Sequence, residues 1–352
     1  MFRKTYAEIN LKNIKENVAK LVNSLNNYEY YFGVVKADCY AHDGNEVVKE
    51  IIEGGCNYLA VATLEEALKI RKDFLNVPIL CLGVVSSYNL TVCKDNNITI
   101  TIPNLEYLKS IDTNNLLGLN VHLKINTGMN RLGISSKEEL NEVVNILNKT
   151  NINIEGIYTH IYNDASATNT INQVKRFENI TNDINLSSIK IVHFGASGFT
   201  LNYEKPDYVN GCRVGIAMYG LLPNNLDLQS TFSLYSKIIQ INEVENATVG
   251  YNGNYKVDKK ERIAVVPIGY ADGIIRKNTG RYVYINDKRY QIVGNICMDM
   301  LFIRVDDTIK VGDKVTLIKD NEHIKEIANH LDTISYEVIC SIGKRIPRVY
   351  KK

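Results

Sequence analysis

Eight apolar segments rich in β-branched and aromatic residues recur between residues 30 and 220 of this 352-residue chain, and helix-like segments separate them. Their apolar residues are continuous rather than alternating, which is typical of strands covered on both faces. Eight strands that alternate with helices are what a (β/α)8 barrel requires. We therefore predict an α/β fold with a TIM-type (β/α)8 barrel rather than an open doubly wound sheet. The segments are 30–37, 58–63, 77–85, 98–102, 121–126, 156–160, 190–195 and 212–220.

Local signals support helices between these segments. Thr63 is followed three positions later by Glu66, which is the pattern of a capping box. An apolar stripe with helical spacing precedes the first predicted strand. The stripe consists of Ile14, Val18, Leu21 and Leu25.

The pattern changes after residue 230, where short β-prone segments are joined by tight turns. Asn286-Asp287 and Gly312-Asp313 are turn signals of this kind, and one helical pattern interrupts the series. We therefore predict a separate C-terminal antiparallel β domain. The expected boundaries are residues 1–228 for the barrel and 229–352 for the β domain, with residues 1–10 able to pair with the β domain.

Composition narrows the class of ligand. The formal net charge is +2, and Lys and Arg are spread along the chain without a basic stripe, so we expect no nucleic-acid or membrane partner and a small-molecule substrate. The N-terminus has no signal-like apolar region, and no segment approaches the roughly 20 apolar residues of a membrane span. The seven cysteines lack any Cys-x-x-Cys pair and the six histidines lack metal-ligand spacing, which predicts reduced thiols, no metal and a cytoplasmic location.

One lysine stands where barrels carry their chemistry. Lys36 follows the first predicted strand directly and precedes Tyr40 by four residues. Catalytic residues of such barrels lie at the carboxyl ends of the strands, so Lys36 is placed for Schiff-base chemistry. Taken alone, a lysine there is more often a solvated loop residue. The assignment therefore depends on the other motifs in the chain.

Six motifs resemble those of the alanine racemases, a family of fold-type III pyridoxal phosphate enzymes, and they occur in that family's order. The resemblance runs nearly end to end and implies the same two domains, the cofactor pyridoxal 5'-phosphate and the racemisation of alanine, which supplies D-alanine for peptidoglycan. The motifs are Val35-Lys36-Ala37-Asp38-Cys39-Tyr40-Ala41-His42, His122 to Gly133, Arg213 to Gly220, Ile268 to Gly273, Gly294 to Asp299, and Ser335-Tyr336-Glu337.

The resemblance implies a two-base mechanism. Pyridoxal phosphate acidifies the α-hydrogen of an attached amino acid, and racemisation then needs a base on each face. Lys36 matches the base on one face, and Tyr251 of the partner subunit matches the base on the other, so a homodimer with shared active sites is implied. Both groups have an unperturbed pKa of about 10 and need help from their surroundings to lose a proton.

Two further residues are implied in this chemistry. His160 matches the residue that links Tyr251 to Arg213 by hydrogen bonds. Arg213 matches the residue that faces the pyridine nitrogen of the cofactor. Because an arginine stays charged at any working pH, that nitrogen stays unprotonated and the ring is a weaker electron sink. A weaker sink disfavours side reactions such as transamination.

The cofactor phosphate is expected to bind to Tyr40, Tyr336, Ser197 and the backbone amides of Gly215 and Ile216, where a loop that feeds a helix start offers free N–H groups. Ser197 is aligned less directly than the others, because Ala196 replaces the usual asparagine before it. Tyr336 also matches one half of an aromatic gate that limits the room for the substrate side chain.

The remaining implied residues surround the substrate. Arg131 matches the residue that bonds the ring phenolate and contacts the substrate, and Lys124 matches a lysine that is often carbamylated to hold that arginine. Met298 and Asp299 match residues that line the substrate carboxylate from the second subunit. Tyr270 matches the other half of the gate.

Several departures from the family pattern leave other substrates open. Phe199 to Tyr203 and Gly343 to Arg345 resemble the serine/alanine racemases, although those proteins tend to have asparagine where Tyr336 stands, which favours alanine. The alternatives are a serine or serine/alanine racemase and, more remotely, a catalytically idle pyridoxal phosphate-binding protein. A fold-type III decarboxylase is disfavoured by Arg213. The departures are Asp38, Ala41, Val214, Met300 and residues 161–164.

Overall fold

The computed structural model describes residues 3–25, 27–114, 116–222 and 226–352. Its first part is a closed barrel of eight parallel strands surrounded by helices, and its second part is built on a nine-stranded sheet. The predicted fold class, a (β/α)8 TIM-type barrel followed by a C-terminal antiparallel β domain, is confirmed.

The barrel strands follow an N-terminal strand, β1 (Tyr6–Asn10), and a first helix, α1 (Leu11–Ser24). Each barrel strand overlaps one of the eight predicted segments. The barrel strands are β2 (Tyr30–Val34), β3 (Tyr58–Val61), β4 (Ile79–Cys81), β5 (Ile98–Ile102), β6 (Asn120–Lys124), β7 (Asn153–Tyr158), β8 (Ile191–Phe194) and β9 (Gly211–Val214).

The connections between the barrel strands are mostly helical. The capping box predicted at Thr63 is confirmed, since the Thr63 side chain accepts from the Glu66 amide and Glu66 bonds back to the cap. The connecting helices are α2 (Lys36–Ala41), α3 (Asn45–Glu53), α4 (Leu64–Arg71), α5 (Leu90–Asp95), α6 (Leu105–Lys109), α7 (Lys137–Leu147), α8 (Ala167–Thr181) and α9 (Ser197–Asn202).

The second domain contains the remaining strands and two helices. The strands are β10 (Phe232–Lys237), β11 (Gln240–Val244), β12 (Ala247–Val249), β13 (Tyr255–Val257), β14 (Glu261–Val266), β15 (Tyr282–Ile285), β16 (Lys288–Val293), β17 (Leu301–Val305), β18 (Lys314–Ile318) and β19 (Arg348–Lys351). The nine-stranded sheet has the order β11-β14-β17-β16-β15-β18-β10-β1-β19, and β12 with β13 forms a separate hairpin. The helices are α10 (Asn321–Leu331) and α11 (Ser335–Cys340).

Strand β1 joins the N-terminus to the second domain. It pairs antiparallel with β10, with Ala7 opposite Leu234, and parallel with β19, with Ala7 opposite Arg348. One continuous apolar core runs from the barrel into the second domain, whereas the β12–β13 hairpin covers a small cluster of its own at Val249, Val257, Ile263 and Val293. Every helix in the described ranges is too short or too polar to cross a membrane.

Candidate active site

A cavity of about 890 Å³ opens at the carboxyl ends of the barrel strands, and α11 of the second domain forms part of its wall. A cavity of this volume suits a small ligand of cofactor size. Ten of the fourteen predicted site residues line it, so the motifs that are scattered along the sequence meet in one place. These ten are Lys36, Tyr40, Lys124, Arg131, His160, Ser197, Arg213, Gly215, Ile216 and Tyr336.

Lys36 stands at the start of a left-handed turn. Ala37, Asp38, Cys39, Tyr40 and Ala41 all have φ between 50° and 61°, a conformation that costs L-residues roughly 1–2 kcal/mol each. The turn directs Lys36 and Tyr40 into the same cavity. Strained backbone of this kind persists only where its surroundings determine it and is concentrated at functional sites.

The electrostatic surroundings of Lys36 favour its neutral amine. Burial lowers the pKa of Lys36 and Arg131 lowers it further, whereas Cys340 and Glu66 raise it by less, and Arg213 adds the smallest lowering effect. Within the described ranges, Lys36 forms no salt bridge with a carboxylate. An amine in this setting is easier to use as a nucleophile or a base than an ordinary lysine.

Arg213 lies on β9, the barrel strand that pairs with β2 ahead of Lys36, and hydrogen bonds hold its guanidinium. One guanidinium nitrogen, Nη2, donates to the Thr159 carbonyl at 2.7 Å and lies 3.4 Å from His160 Nδ1, and Nη1 donates to His193 Nδ1 at 2.7 Å. Burial lowers the pKa of Arg213 to about 10. The guanidinium therefore remains charged near neutral pH.

A chain of buried hydrogen bonds continues from Arg213 through the barrel interior. His193 Nε2 lies 2.8 Å from His122 Nδ1, and His122 Nε2 lies 3.4 Å from Glu155 Oε2. Since Arg213 can only donate, His193 must accept at Nδ1 and donate from Nε2, and the same direction follows at His122. The chain ends at Glu155, whose other oxygen accepts from Lys190 at 2.8 Å.

The two histidines of this chain are neutral. His193 is stacked between Phe32 and Tyr158, with ring centroids 4.5 and 4.6 Å away, and burial holds the pKa of both His193 and His122 below its usual value. Burial alone would raise the pKa of Glu155, but hydrogen bonds from His122 and Lys190 bring it to about 2. The carboxylate therefore balances the charge of Arg213 through two neutral rings.

Sequence reasoning missed this chain. His122 entered only as the first residue of a motif, and neither His193 nor Glu155 was assigned a role. The signal was present, because each is a polar residue within an otherwise apolar strand segment of β6, β7 or β8. A polar side chain inside a buried strand must find a partner in the barrel interior.

Two cavity residues beside Arg213 have strongly shifted pKa values. Burial, followed by Arg213 and Arg131, lowers the pKa of Lys124 well below its usual value, and its Nζ lies 4.4 Å from the centre of the Tyr158 ring. Burial and the same cations, Arg213 foremost, lower the pKa of His160 to about 2. The neutral form of both side chains is therefore favoured.

The other end of the cavity is lined by hydroxyls and backbone. Gly215 N–H donates to Ser197 Oγ at 3.0 Å, so this amide is already engaged, whereas Ile216 stands first in a 3-10 turn, where amides lack an intrahelical partner. A Cβ at Gly215 would lie 2.8 Å from the Tyr40 hydroxyl oxygen. Glycine at this position therefore lets the Tyr40 hydroxyl approach the backbone.

The charge of the cavity favours an anionic ligand. Its lining contains two guanidinium groups, Arg131 and Arg213, and two amines of lowered pKa, Lys36 and Lys124, against a single carboxylate, Glu337, which bonds Thr333. The hydroxyl groups and the Ile216 amide add neutral donors. Such a donor set fits a phosphate at one end of a ligand and a carboxylate or phenolate at the other.

Four predicted site residues lie outside this cavity, on the surface of the second domain. Tyr251, Tyr270 and Met298 are 69%, 42% and 53% exposed, and Asp299 bonds Arg345 at 2.8 Å. Backbone contacts hold the four near one another, since the Tyr251 carbonyl accepts from the Asn295 side chain, and the amides of Tyr270 and Ala271 bond to the carbonyls of Cys297 and Met298. The structure of one chain thus presents them together, away from Lys36.

Comparison with known proteins identifies the family. Residues 9–223 match the alanine racemase N-terminal domain and residues 231–350 match the alanine racemase C-terminal domain. The chain is 35% identical over 365 residues to alanine racemase 1 of Bacillus subtilis, which covers 99% of this chain and 93% of the relative. The chain belongs to the alanine racemase family. It is therefore an enzyme of the isomerase class, and the resemblance seen in the sequence is confirmed.

Solved structures of the family share the whole architecture. The crystal structure of alanine racemase from Bacillus anthracis with bound L-Ala-P superposes with a TM-score of 0.93 at 31% identity and covers 100% of this chain and 96% of the other. The alanine racemase of Clostridium difficile 630 also gives a TM-score of 0.93, at 34% identity and with the same coverage of both chains. The barrel and the second domain thus have the arrangement found in this family.

Proposed function

We propose that this enzyme interconverts L-alanine and D-alanine with pyridoxal 5'-phosphate bound through Lys36. The observation that carries the proposal is the presence, in one cavity of an alanine racemase family member, of an amine whose pKa is lowered and of a charged guanidinium held by hydrogen bonds. When bound there, pyridoxal phosphate would supply an electron-withdrawing ring that acidifies the α-hydrogen of the amino acid.

The residues of the cavity fit this cofactor. Tyr40, Ser197, Tyr336 and the Ile216 amide would hold its phosphate, with Gly215 keeping the backbone close to the Tyr40 hydroxyl. These groups are neutral donors, so the binding of the phosphate to them would rest on hydrogen bonds rather than on a salt bridge.

The charged residues would hold the ring. Arg213 would face the ring nitrogen and, because it stays charged, keep that nitrogen unprotonated. Arg131 would bind the ring oxygen and the substrate carboxylate. Burial, Arg213 and Arg131 lower the pKa of Lys124 and so favour its neutral amine, which is the form that reacts with carbon dioxide. We therefore propose that Lys124 is carbamylated and thereby becomes an anionic partner for Arg131. NMR of protein in ¹³C-bicarbonate should show a carbamate signal that a Lys124→Gln variant lacks.

Lys36 would exchange the α-proton on one face of the substrate through its Nζ. The second face needs another base, and, with Lys124 carbamylated as proposed, the tyrosines and His160 of the same cavity are poorly suited to this role. Burial raises the pKa of Tyr40, Tyr158 and Tyr336, and His160, with a pKa of about 2, is a very weak base. A second base must therefore come from elsewhere in the assembly.

We propose that this base is Tyr251 of the partner subunit in a homodimer. Tyr251 stands on the exposed hairpin of the second domain, beside Tyr270 and Met298, and exposed apolar clusters of this kind mark interaction surfaces. Docking of this face over the barrel mouth of a second copy would bring Tyr251 to His160, with Met298, Asp299 and Tyr270 around the substrate. Each site would then contain residues of both chains.

The substrate is tested directly with the cofactor-loaded enzyme. We expect D-alanine to form from L-alanine much faster than D-serine forms from L-serine, since Tyr336 would narrow the cavity beside the substrate. Chiral chromatography measures both products. Faster D-serine formation would make the enzyme a serine racemase. If neither product forms although the cofactor is bound, the protein is an idle pyridoxal phosphate-binding protein. A Lys36→Ala variant gives the background rate.

The cellular role is a separate proposal. D-alanine is a building block of peptidoglycan, so we propose that this enzyme acts in the cytoplasm and supplies that pathway. Expression of the chain in a bacterium that requires added D-alanine should restore growth without it, and the Lys36→Ala variant should not. Failure of the active enzyme to restore growth would contradict this role.

A further inference from the structure

The left-handed turn that carries Lys36 and Tyr40 is held from outside by one face of helix α4. Glu66 and Lys69 are three residues apart on this helix and therefore project from the same face. Glu66 Oε1 accepts from the Ala37 amide at 2.7 Å. Lys69 Nζ contacts the Asp38 carboxylate at 3.1 Å and the Asp43 carboxylate at 3.0 Å.

Glu66 also ties this turn to the next barrel strand. Its second oxygen, Oε2, accepts from the Ala62 amide at 2.8 Å and from the Thr63 amide at 3.3 Å. Ala37 and Ala62 both line the cavity. One carboxylate therefore joins the residue after Lys36 to the wall formed after β3, and the left-handed turn gains an anchor that its own backbone does not supply.

We propose that Glu66 is a positioning residue of this active site, which fixes the left-handed turn so that Lys36 Nζ and the Tyr40 hydroxyl reach the same ligand. The proposal rests on the proposed function, because a fixed Lys36 matters for racemisation only if Lys36 reacts. Lys69 supports the same turn through Asp38, a position at which this chain departs from the usual asparagine of the family.

The negative charge of Glu66 has a second, separate effect on Lys36. Charged and titratable groups from several elements surround Lys36. Among the groups that shift the pKa of Lys36, Glu66 is the carboxylate. Glu66 and Cys340 raise the pKa of Lys36, whereas burial, Arg131 and Arg213 lower it, and His160 faces it across the cavity. Removing the charge but not the acceptor should therefore lower the pKa of Lys36.

Three variants of the full-length, cofactor-loaded enzyme separate these effects. Glu66→Ala removes acceptor and charge, Glu66→Gln keeps one acceptor oxygen without the charge, and Glu65→Ala removes an exposed carboxylate from the same first turn of α4 as a matched control. All three lose an acidic group near the helix N-terminus, so the general effect on the helix dipole is shared.

The first measurement is hydrogen–deuterium exchange of the peptide that spans residues 35–43. We expect exchange at the start of this peptide to be at least about 10-fold faster in Glu66→Ala than in the native enzyme, because the Ala37 amide loses its acceptor. Glu66→Gln should lie closer to the native enzyme, and Glu65→Ala should not differ from it. Equal exchange in Glu66→Ala and Glu65→Ala would overturn the proposal.

Kinetics supply the second measurement. Glu66→Ala should lower kcat for D-alanine by about 10- to 100-fold with a smaller change in KM, since misplacement of a reacting group by about 1 Å costs this much. Glu66→Gln should recover most of kcat and move the acid limb of the kcat profile for D-alanine to lower pH by about 1 unit. A native kcat in Glu66→Ala would contradict the positioning role, and an acid limb that moves to higher pH in Glu66→Gln would contradict the charge effect.

The two measurements also separate this proposal from the proposed function. If the native enzyme racemises neither alanine nor serine but the exchange pattern is as expected, Glu66 positions the turn and the proposed function fails. If the native enzyme racemises alanine but the exchange and kinetics of Glu66→Ala match those of Glu65→Ala, the proposed function stands and the role of Glu66 is wrong. If Glu66→Ala does not fold, Glu66→Gln still tests the pH shift.

Discussion

Arg213 is fixed by the protein itself through the Thr159 carbonyl and His193 Nδ1, so its orientation does not depend on a bound ligand. Replacing His193 by Phe keeps the ring stacked between Phe32 and Tyr158 but leaves a buried guanidinium N–H without an acceptor. We expect the free energy of unfolding to fall by about 2–3 kcal/mol. We also expect kcat to fall by about 10- to 100-fold, because the guanidinium is no longer held in place.

Urea unfolding and racemisation of L-alanine measure these two effects in the same preparations. Thr101→Val is a matched control, since it removes another buried hydrogen-bonding group of the barrel interior, which bonds Cys81 O at 2.8 Å and the Tyr158 hydroxyl at 2.9 Å without touching Arg213. This control should lose about 1 kcal/mol of stability and keep its kcat. A His193→Phe variant with the native kcat would show that Arg213 does not need His193.

At the residue scale, the sequence predicts which residues line the cavity but not which residues form hydrogen bonds with them. Lys36 and Arg213 could be predicted because each lies in a local motif at the end of a strand. The partners of Arg213 could not, because His193, His122 and Glu155 come from different strands and meet only through the register of the closed barrel. Registers of parallel strands are not encoded in any short segment.

Secondary structure elements match the prediction from sequence where burial and propensity favour the same structure. Strand β5 is fully buried, and its two threonines are satisfied inside the barrel, by Tyr58 and Glu155 at Thr99 and by the Cys81 carbonyl at Thr101. Apolar residues alone do not mark a strand, as the connection between β10 and β11 shows. The chain turns at Ile238 and Ile239 between β10 and β11, where Ile238 is fixed by Asp313 and Gly312.

The left-handed α2 turn is the element that sequence reasoning could not predict. Residues Ala37 to Ala41 include no glycine or asparagine, the residues that usually mark a positive φ. The turn exists because contacts from α4, His42 and the second domain outweigh its local cost. His42 Nδ1 lies 3.0 Å from both the Cys39 and the Tyr40 carbonyls, and Lys344 lies 2.8 Å from Asp38.

This strain predicts an unusual response to glycine. Ala41 has φ of 61°, so Ala41→Gly should stabilise the protein by about 0.5–1 kcal/mol, because relief of the left-handed strain exceeds the entropic cost of glycine. Ala328 lies in the right-handed helix α10, and Ala328→Gly should destabilise by about 1 kcal/mol or more. Urea unfolding compares the two. Destabilisation by both substitutions would show that Ala41 is not strained.

The molecule as a whole should be sensitive to mild acid. His42, His122 and His193 are fully buried and their pKa values are lowered by burial, to about 4 at His42. The unfolded chain binds protons at these residues as the pH falls through about 6.5, whereas the folded chain does not. Stability is therefore retained above this pH and lost below it, until the folded pKa values are reached.

These three histidines alone give a slope of up to about 4 kcal/mol per pH unit between pH 6 and 5, and His160 and His323, whose pKa values burial lowers to about 2 and about 4, add to it. Urea unfolding at a fixed protein concentration and several pH values measures it. A His42→Gln variant should reduce the slope by about 1.4 kcal/mol per unit. A flat profile from pH 7.5 to 5 would mean that these histidines are protonated in the folded protein.

Shared active sites make the strongest prediction about the assembly. If Lys36 of one chain works with Tyr251 of the partner subunit, Lys36→Ala and Tyr251→Phe chains should each be nearly inactive, with losses of about 10²-fold or more. Mixed dimers of the two contain one site with both substitutions and one site with neither. Random mixing should therefore restore about a quarter of the native sites.

A matched mixture distinguishes shared sites from other causes of recovery. Lys36→Ala chains mixed with chains that carry both Lys36→Ala and Tyr251→Phe form dimers in which every site lacks Lys36, so this mixture should stay inactive. Differently tagged chains allow the mixed dimers to be isolated and counted. If isolated dimers of Lys36→Ala with Tyr251→Phe remain inactive, Tyr251 does not serve the partner's Lys36, and the cavity of a single chain must provide both bases.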